Sequence, residues 1–381
     1  MDATNRQFRI FTDRAYLPEG FAHCSMLRPH WGDPTGHDAY SRYARDGSAS
    51  QRLVGADEAE VALLPFDGTH LLSKDPAVAG KAREAAGRFA AVAAKAGLRV
   101  LVLATDESTA PLGIDGSIVL RNALDRRRRP RGDFAMPGWF DDYVTGYLGG
   151  SVVPREKPER PVVGFCGLAA TRGPRLRRRA KLLAYRALGA AGVHVPHNDG
   201  LEIRRRGMAA LEAHPGVRTA FIVRDRFFGG GGDDPEVKAR VRREYYDNLV
   251  GSDYVLAARG FSNFSFRFFE AMSVGRIPVL IDTDCVLPYD FLHDYRELCV
   301  VVPEAEIDRV GDHILRFHAR FSPGGYRDLQ ARIRAFWEEW LSPEGFFRKV
   351  PLHLGPEAGS ARVAWAGPAA SPSTGVRGVG S

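Results

Sequence analysis

The fold is decided by one stretch, Tyr254–Thr283, which reads YVLAARGFSNFSFRFFEAMSVGRIPVLIDT. An apolar run, Tyr254–Ala258, meets a turn at Arg259-Gly260-Phe261-Ser262-Asn263. A helix-like run from Phe264 to Val274 follows and is stopped by Gly275; a second apolar run, Ile277–Ile281, closes the stretch. Strand, loop, helix and strand in about thirty residues is the length of a βαβ unit. Both strand runs are continuously hydrophobic, as in a parallel sheet covered on both faces. Ser262 or Asn263 is expected to cap the helix and Gly275 to end it. Such a unit aims the N-terminus of its helix at the crevice beside the strand ends, where backbone N–H groups favour an anion, and Arg259 stands at that mouth. The first expectation is therefore a site for a phosphorylated ligand.

Outward from this unit the same pattern repeats. Phe8–Phe11 reads as a first strand, Glu60–Pro65 as a buried strand and Arg99–Ala104 as another, with an Ala-rich helix over Asp75–Ala96 between the last two. Ser117–Leu120 reads as a further strand. Residues 149–161, GGSVVPREKPERP, are rich in Gly, Pro and charge and read as a linker. A second α/β set begins at Val162–Phe165, with a strand in Thr219–Phe228 and a helix over Pro235–Val250. Leu298–Val302 reads as a further strand, and Ile307–Arg320 and Tyr326–Leu341 as helices. From Leu352 the chain is Gly, Pro, Ala and Ser, which predicts a disordered tail. The expected organisation is a first Rossmann-like domain over 1–150, a second over 151–325, a helical segment 326–351 and the tail 352–381.

The chain has 381 residues, enough for two cores. No run of about 18 apolar residues predicts a membrane-spanning helix, and the N-terminus lacks a secretory pattern. Cys24, Cys166, Cys285 and Cys299 show no paired spacing, as for reduced buried thiols. A cytoplasmic location is expected. The net charge of +7 is carried by 46 arginines against seven lysines. That balance suits an anionic substrate, or a peripheral contact with an anionic membrane surface. Gly229–Gly232 lacks the Gly-Lys-Ser/Thr ending of a P-loop, so ATPase chemistry is not expected.

From Tyr245 to Ile307 the chain resembles the exostosin family of glycosyltransferases. Tyr245-Tyr246, Leu-x-x-Ser before the strand, Arg259-Gly260, Ser265 and Arg267 leading into Phe269-Glu270-Ala271, Gly275-x-Ile277-Pro278-Val279 and Leu287-Pro288-Tyr289 follow the family pattern in order. The resemblance implies a GT-B architecture: α/β, two Rossmann-like domains with parallel sheets facing a central cleft. The second domain would hold a nucleotide sugar, by expectation UDP-linked, and the first would supply acceptor contacts. Transfer would be inverting, with no cofactor and no obligatory metal, to a glycan or lipid-linked hydroxyl.

Candidate residues follow from that chemistry. A departing diphosphate gains charge, and preorganised cations and donors stabilise it. Arg259, Gly260, Ser262, Asn263, Ser265 and Arg267 fit that role; a surface arginine beside an ordinary helix cap is the other reading. Glu270 lies in an apolar helix, where an unpaired carboxylate is costly. The resemblance assigns it the ribose hydroxyls, and an ion pair with Arg267 is the plainer alternative. Arg224 and Arg226 end a strand on the cleft side, and Gly167 lets a ligand approach the backbone. Asp67 and His70, after the strand ending at Pro65, are the candidate general base, against an Asx turn with a surface histidine; Asp13 and Asp33 are open as well. Asp282-Thr283-Asp284 has the look of a metal motif but falls where the family pattern has only a turn. His194-x-x-His197 has no third ligand in sight. Arg126–Arg129 and Arg175–Arg179 lack interleaved aromatics, so solvated faces, or contacts with a phosphate-bearing lipid acceptor, are expected and nucleic acid is not. A non-catalytic relative that binds a nucleotide sugar or glycan is the alternative function.

Overall fold

The computed structural model describes residues 7–32, 38–106, 108–169, 184, 200–224 and 234–355. Among them, eleven strands form two sheets. The first contains β1 (Phe8–Phe11), β2 (Gln51–Leu53), β3 (Val61–Leu63), β4 (Val100–Ala104), β5 (Ile118–Arg121) and β6 (Asp133–Ala135), in the order β2-β1-β3-β4-β5-β6. The second contains β7 (Val162–Leu168), β8 (Arg218–Arg224), β9 (Tyr254–Ala257), β10 (Ile277–Asp282) and β11 (Val300–Pro303), in the order β11-β10-β9-β7-β8. Neighbouring strands pair parallel throughout. This is the expected α/β class with two parallel sheets. β2 and β6 have no counterpart in the sequence reading: three residues each are too short to show a hydrophobic period.

The helices form where the sequence gives both a cap and an apolar face. α1 (Pro76–Lys95) starts with the Asp75 carboxylate accepting from the Ala77 N–H and a proline in the first turn. Its buried face is mostly alanine around Phe89, which lets it lie close on the sheet. The other helices needed below are α2 (Tyr143–Tyr147), α3 (Gly200–Glu212), α4 (Pro235–Gly251), α5 (Phe266–Ser273), α6 (Val310–His318), α7 (Pro323–Phe336) and α8 (Pro343–Arg348). The sequence also reads as a basic helix over about Pro174–Ala191; apart from residue 184 that stretch lies outside the described residues, as do Arg226 and Gly229–Gly232.

The central unit folds as β9, α5 and β10, with one correction at the cap. Asn263 does not cap α5: its Nδ2 donates to Asp125 Oδ1 at 2.7 Å and to the Thr283 carbonyl at 2.9 Å. Ser265 takes the N-cap position with no hydrogen bond from its side chain to the helix. At the other end Gly275 has φ +66, the left-handed conformation that stops the helix, as its position predicts.

Residues 149–161 have no regular secondary structure but are fastened rather than free. Arg155 Nε pairs with Asp253 Oδ1 at 2.7 Å, Gln330 Oε1 accepts from the Arg155 N–H, and Arg276 donates to the Val153 carbonyl. The return to the first sheet is made by the end of the C-terminal segment and not by α7: Tyr326, Leu329 and Ile333 of α7, with Trp337 and Leu341, pack in the core of the second sheet, whereas Phe346, Phe347 and Val350 join Tyr43, Phe134 and Met136 in the core of the first. The chain stays ordered past Leu352, in a short 3-10 helix over Val350–Leu354 with His353 buried; residues beyond 355 lie outside the described ones.

The two sheets present their carboxyl edges to each other. The segment after β5 meets the segment after β10: Asp125 forms an isolated antiparallel bridge with Cys285, and the Arg126 N–H donates to the Asp284 carbonyl at 2.7 Å. Here the arginine run departs from the solvated face expected of it. Arg126 pairs with Asp282 at 3.2 Å and Arg129 with Asp290 at 2.9 Å, both partly buried, while Arg127 stays exposed. Asp282 and Asp284 are therefore spent on arginines.

Candidate functional site

In an open parallel sheet a ligand crevice opens outside the strand carboxyl ends where the strand order reverses. In the second sheet that point lies between β7 and β9. A cavity of about 860 Å³ opens there, lined by Cys166, Gly167 and Leu168 at the carboxyl end of β7 and by Gly260 after β9. α3, α4 and α5 supply further walls, and the segment Trp139 to Tyr147, which follows β6, closes it. This is a ligand-sized volume.

One wall is cationic. Arg267, in the first turn of α5, donates from Nη2 to the Cys166 carbonyl at 2.8 Å and lies 4.3 Å from the centre of the Phe165 ring. Gly167 makes room for it: its φ is +149, and a Cβ there would stand 2.6 Å from Arg267 Nη2. Arg204, on α3, donates from Nη1 to the Leu168 carbonyl at 2.9 Å. Burial and the neighbouring Arg267 charge push its pKa down to about 10. Arg224 pairs with Glu244 at 2.7 Å on the same side. Among the described residues, the buried Nε atoms of Arg204 and Arg267 and the hydroxyls of Ser262 and Ser265 have no hydrogen-bond partner. Buried donors are rarely left so. Two adjacent guanidiniums beside an uncapped helix N-terminus make a site for an anion with several oxygens.

The opposite character comes from one carboxylate. Glu270 is half-buried and lines the cavity one turn beyond Arg267. Arg267 turns to the Cys166 carbonyl, and the Glu270 oxygens accept from Tyr143 Oη at 2.6 Å and from Tyr245 Oη. Burial, and then the Glu270 charge, push both phenols well above their ordinary pKa.

Of the residues read from the sequence, Gly167, Arg224, Gly260, Ser265, Arg267 and Glu270 share this cavity. Arg259 does not stand at the mouth. It is buried, with Nη2 donating to the Phe261 carbonyl, and it lines a small pocket behind α5 with Asn263 and Ser265. A chain leaving β9 must turn, and that turn carries the Arg259 side chain inward. Asp67 and His70 lie outside the cavity lining, at the carboxyl end of β3. Asp67 caps a short helix through the Thr69 N–H and also accepts from Thr105 Oγ1 at 2.6 Å. His70 packs on Phe21, with ring centres 4.1 Å apart. Asp13 caps Ala15; Asp33, His194 and His197 lie outside the described residues.

Arg204, Tyr143, Tyr245 and Asp141 line the cavity and were not singled out from the sequence. The paired tyrosines at 245–246 were a signal for one of them; nothing local marks Tyr143. Among the described residues no group of three or more His, Cys, Asp and Glu could hold a metal ion. No helix among them is long and apolar enough to cross a membrane.

No curated protein matches the chain. Two solved structures of TarM are similar at 12% identity and a TM-score of 0.30 each, values too low to carry an argument. The first, a crystal structure of TarM, is matched over 66% of this chain and 53% of that chain. The second, a variant of S. aureus TarM in complex with fondaparinux, alpha-GlcNAc-glycerol and UDP, is matched over 68% and 51%. The chain thus spans about half the length of those proteins. Residues 203–316 match the family model of the Exostosin GT47 domain. That segment runs from α3 through α4, α5 and β10 into α6, and so includes the walls that supply Arg204, Tyr245, Arg267 and Glu270. The resemblance read from Tyr245–Ile307 falls inside this match, which extends it to residues 203–316.

Proposed function

We propose that the chain is a glycosyltransferase that moves a sugar from a nucleoside diphosphate sugar, UDP-linked by expectation, to a hydroxyl of a glycan or lipid-linked acceptor. The observation that carries this reading is the cavity at the β7/β9 switch point, with Arg204 and Arg267 against one part and Glu270 in another. As the bond to the anomeric carbon breaks, charge grows on the leaving diphosphate; fixed guanidiniums, the Ser265 hydroxyl and the α5 N-terminus oppose it. Glu270, an acceptor of hydrogen bonds and an anion, suits ribose hydroxyls and repels phosphate. The transfer would invert the anomeric carbon and need no metal, the arginines doing the electrostatic work. In the cell the enzyme would be cytoplasmic, with its surplus of arginine favouring peripheral contact with an anionic membrane and no part for nucleic acid.

The acceptor would dock between the carboxyl edges. Asp67 or His70 is the proposed base there, and Asp141 is the competing carboxylate inside the cavity. The engagement of both Asp67 oxygens favours a second reading, a non-catalytic relative that binds the nucleotide sugar. Two measurements separate them. Excess UDP should raise Tm by several degrees if the donor site is real; no shift with UDP, GDP, TDP or CMP sugars would sink it. Transfer assays should then show loss in either Asp67→Asn or Asp141→Asn. Binding without turnover on any acceptor would leave the second reading standing.

A further inference from the structure

Glu270 is held from two directions. Tyr245 reaches its Oε2 from α4, and Tyr143 reaches its Oε1 from α2, across 127 residues of sequence. Each carboxylate oxygen carries a second acceptor site that these hydroxyls leave open. The support extends outward from Tyr143. Its neighbour Asp142 caps α2 through the Val144 N–H and forms a two-pronged pair with Arg334 of α7, both N–O distances being 2.9 Å. The same guanidinium donates to the Ser273 carbonyl at 2.5 Å, at the carboxyl end of the helix that carries Glu270. One arginine therefore ties the helix bearing the carboxylate to the segment bearing one of its hydroxyl partners. Burial weakens and the Asp142 partner strengthens that guanidinium's hold on its proton, and the partner prevails.

We propose that Tyr143 and Tyr245 are positioning residues that fix the Glu270 carboxylate so that its open acceptor sites receive a vicinal diol, with Arg334 and Asp142 as the buckle that sets Tyr143. The assignment rests on the donor-site reading above. Its chemistry follows from the arrangement. Glu270 lies five residues beyond the Ser265 cap, about 7.5 Å along the helix at 1.5 Å per residue. A ligand with phosphates at the helix N-terminus and hydroxyls a turn and a half further in fits both ends. A carboxylate with one tyrosine hydroxyl on each oxygen cannot rotate freely without losing both bonds, and a preorganised acceptor discriminates strongly against a ligand that lacks the matching hydroxyl. The site should thus choose ribonucleotides over 2′-deoxyribonucleotides.

The test is calorimetric titration of the full chain with UDP and with 2′-deoxy-UDP. The wild type should prefer UDP by about tenfold, which is about 1.4 kcal/mol. In Tyr143→Phe and in Tyr245→Phe, which remove only the hydroxyl, that ratio should fall toward one while Tm without nucleotide changes little. Asp142→Asn, which leaves every cavity side chain in place, should lower the ratio partway; it guards against a Phe variant that fails to fold. Arg334→Lys should behave like Asp142→Asn, because lysine cannot grip two partners in one plane. If the wild type prefers UDP and the variants keep the full preference, the positioning role is overturned and the donor site stands. If the wild type binds UDP without preferring it to the deoxy form, the diol assignment fails while the anion site stands. If it binds neither nucleotide, both the inference and the donor-site reading fall.

Discussion

The two sheets have the same topology at their switch points and opposite chemistry there. β1 and β3 enclose the first crevice as β7 and β9 enclose the second. Beyond the ends of β1, β3 and β4 stand Thr12 and Asp13, Asp67 after the buried Leu64-Pro65-Phe66, and Thr105 and Asp106; the polar groups there are mostly acids and hydroxyls. Burial, with Asp67 nearby, raises the Asp106 pKa. The second crevice gathers Arg204, Arg224 and Arg267 around one tyrosine-held carboxylate. Topology places a crevice in each half, and side chains decide what each one takes. Under the proposed function, the cationic pocket would take the charged donor and the acidic one the acceptor hydroxyl that loses a proton.

The comparison can be broken most forcefully through Arg121. It sits at the end of β5, paired with Asp133 at 2.6 Å and donating to the carbonyls of Ser108 and Ala110, which follow the acidic loop. Arg121→Ala leaves Asp133 buried without its cation. Stability in urea should fall by about 3–5 kcal/mol, and a loss under 1 kcal/mol would show that the first crevice does not depend on this pair. On the cationic side, Arg267→Ala should weaken UDP binding by about tenfold to a hundredfold, about 1.5–3 kcal/mol for lost charge-assisted bonds. The loss should shrink as salt is raised. Unchanged affinity would remove the diphosphate from this wall. The smallest effect concerns pH. His353 is buried among Phe134, Tyr289 and Phe346 in the core under the first sheet, and burial pushes its pKa down to about 3. The unfolded chain takes up a proton below about pH 6.5 that the folded chain refuses. Stability is therefore full above that value and falls as pH drops from about 6.5 toward 3, by about 2 kcal/mol at pH 5. His30, His293 and His318, whose pKa values burial also lowers, act in the same direction. Melting curves from pH 7.5 to 5 check this; a flat profile would mean that His353 is open to water.

Legibility followed the range of the interaction. The βαβ unit was readable because strand and helix periods and a glycine stop are local, and β9, α5 and β10 fall close to where Tyr254–Thr283 places them. The cap was misplaced because Asn263 answers to Asp125 and Thr283, and a sequence window around α5 contains neither reason. Glu270 was legible as an odd carboxylate in an apolar helix, whereas its partner Tyr143 was not. The arginine run looked like a solvated loop because its acids stand 156 and 161 positions away.

By itself the sequence determined two parallel α/β units, a helix N-terminus aimed at a crevice, and Gly167, Arg224, Ser265, Arg267 and Glu270 as residues near it. Hydrophobic period, turn residues and the register of one exostosin-type motif are enough for that. Only the tertiary structure decided that Arg259 turns inward, that Arg204 joins Arg267, that Asp282 and Asp284 hold arginines from the segment after β5, and that two tyrosines grip Glu270. Charge pairs and hydrogen bonds act between atoms a few ångströms apart, and chain closure brings those atoms together from anywhere in the sequence.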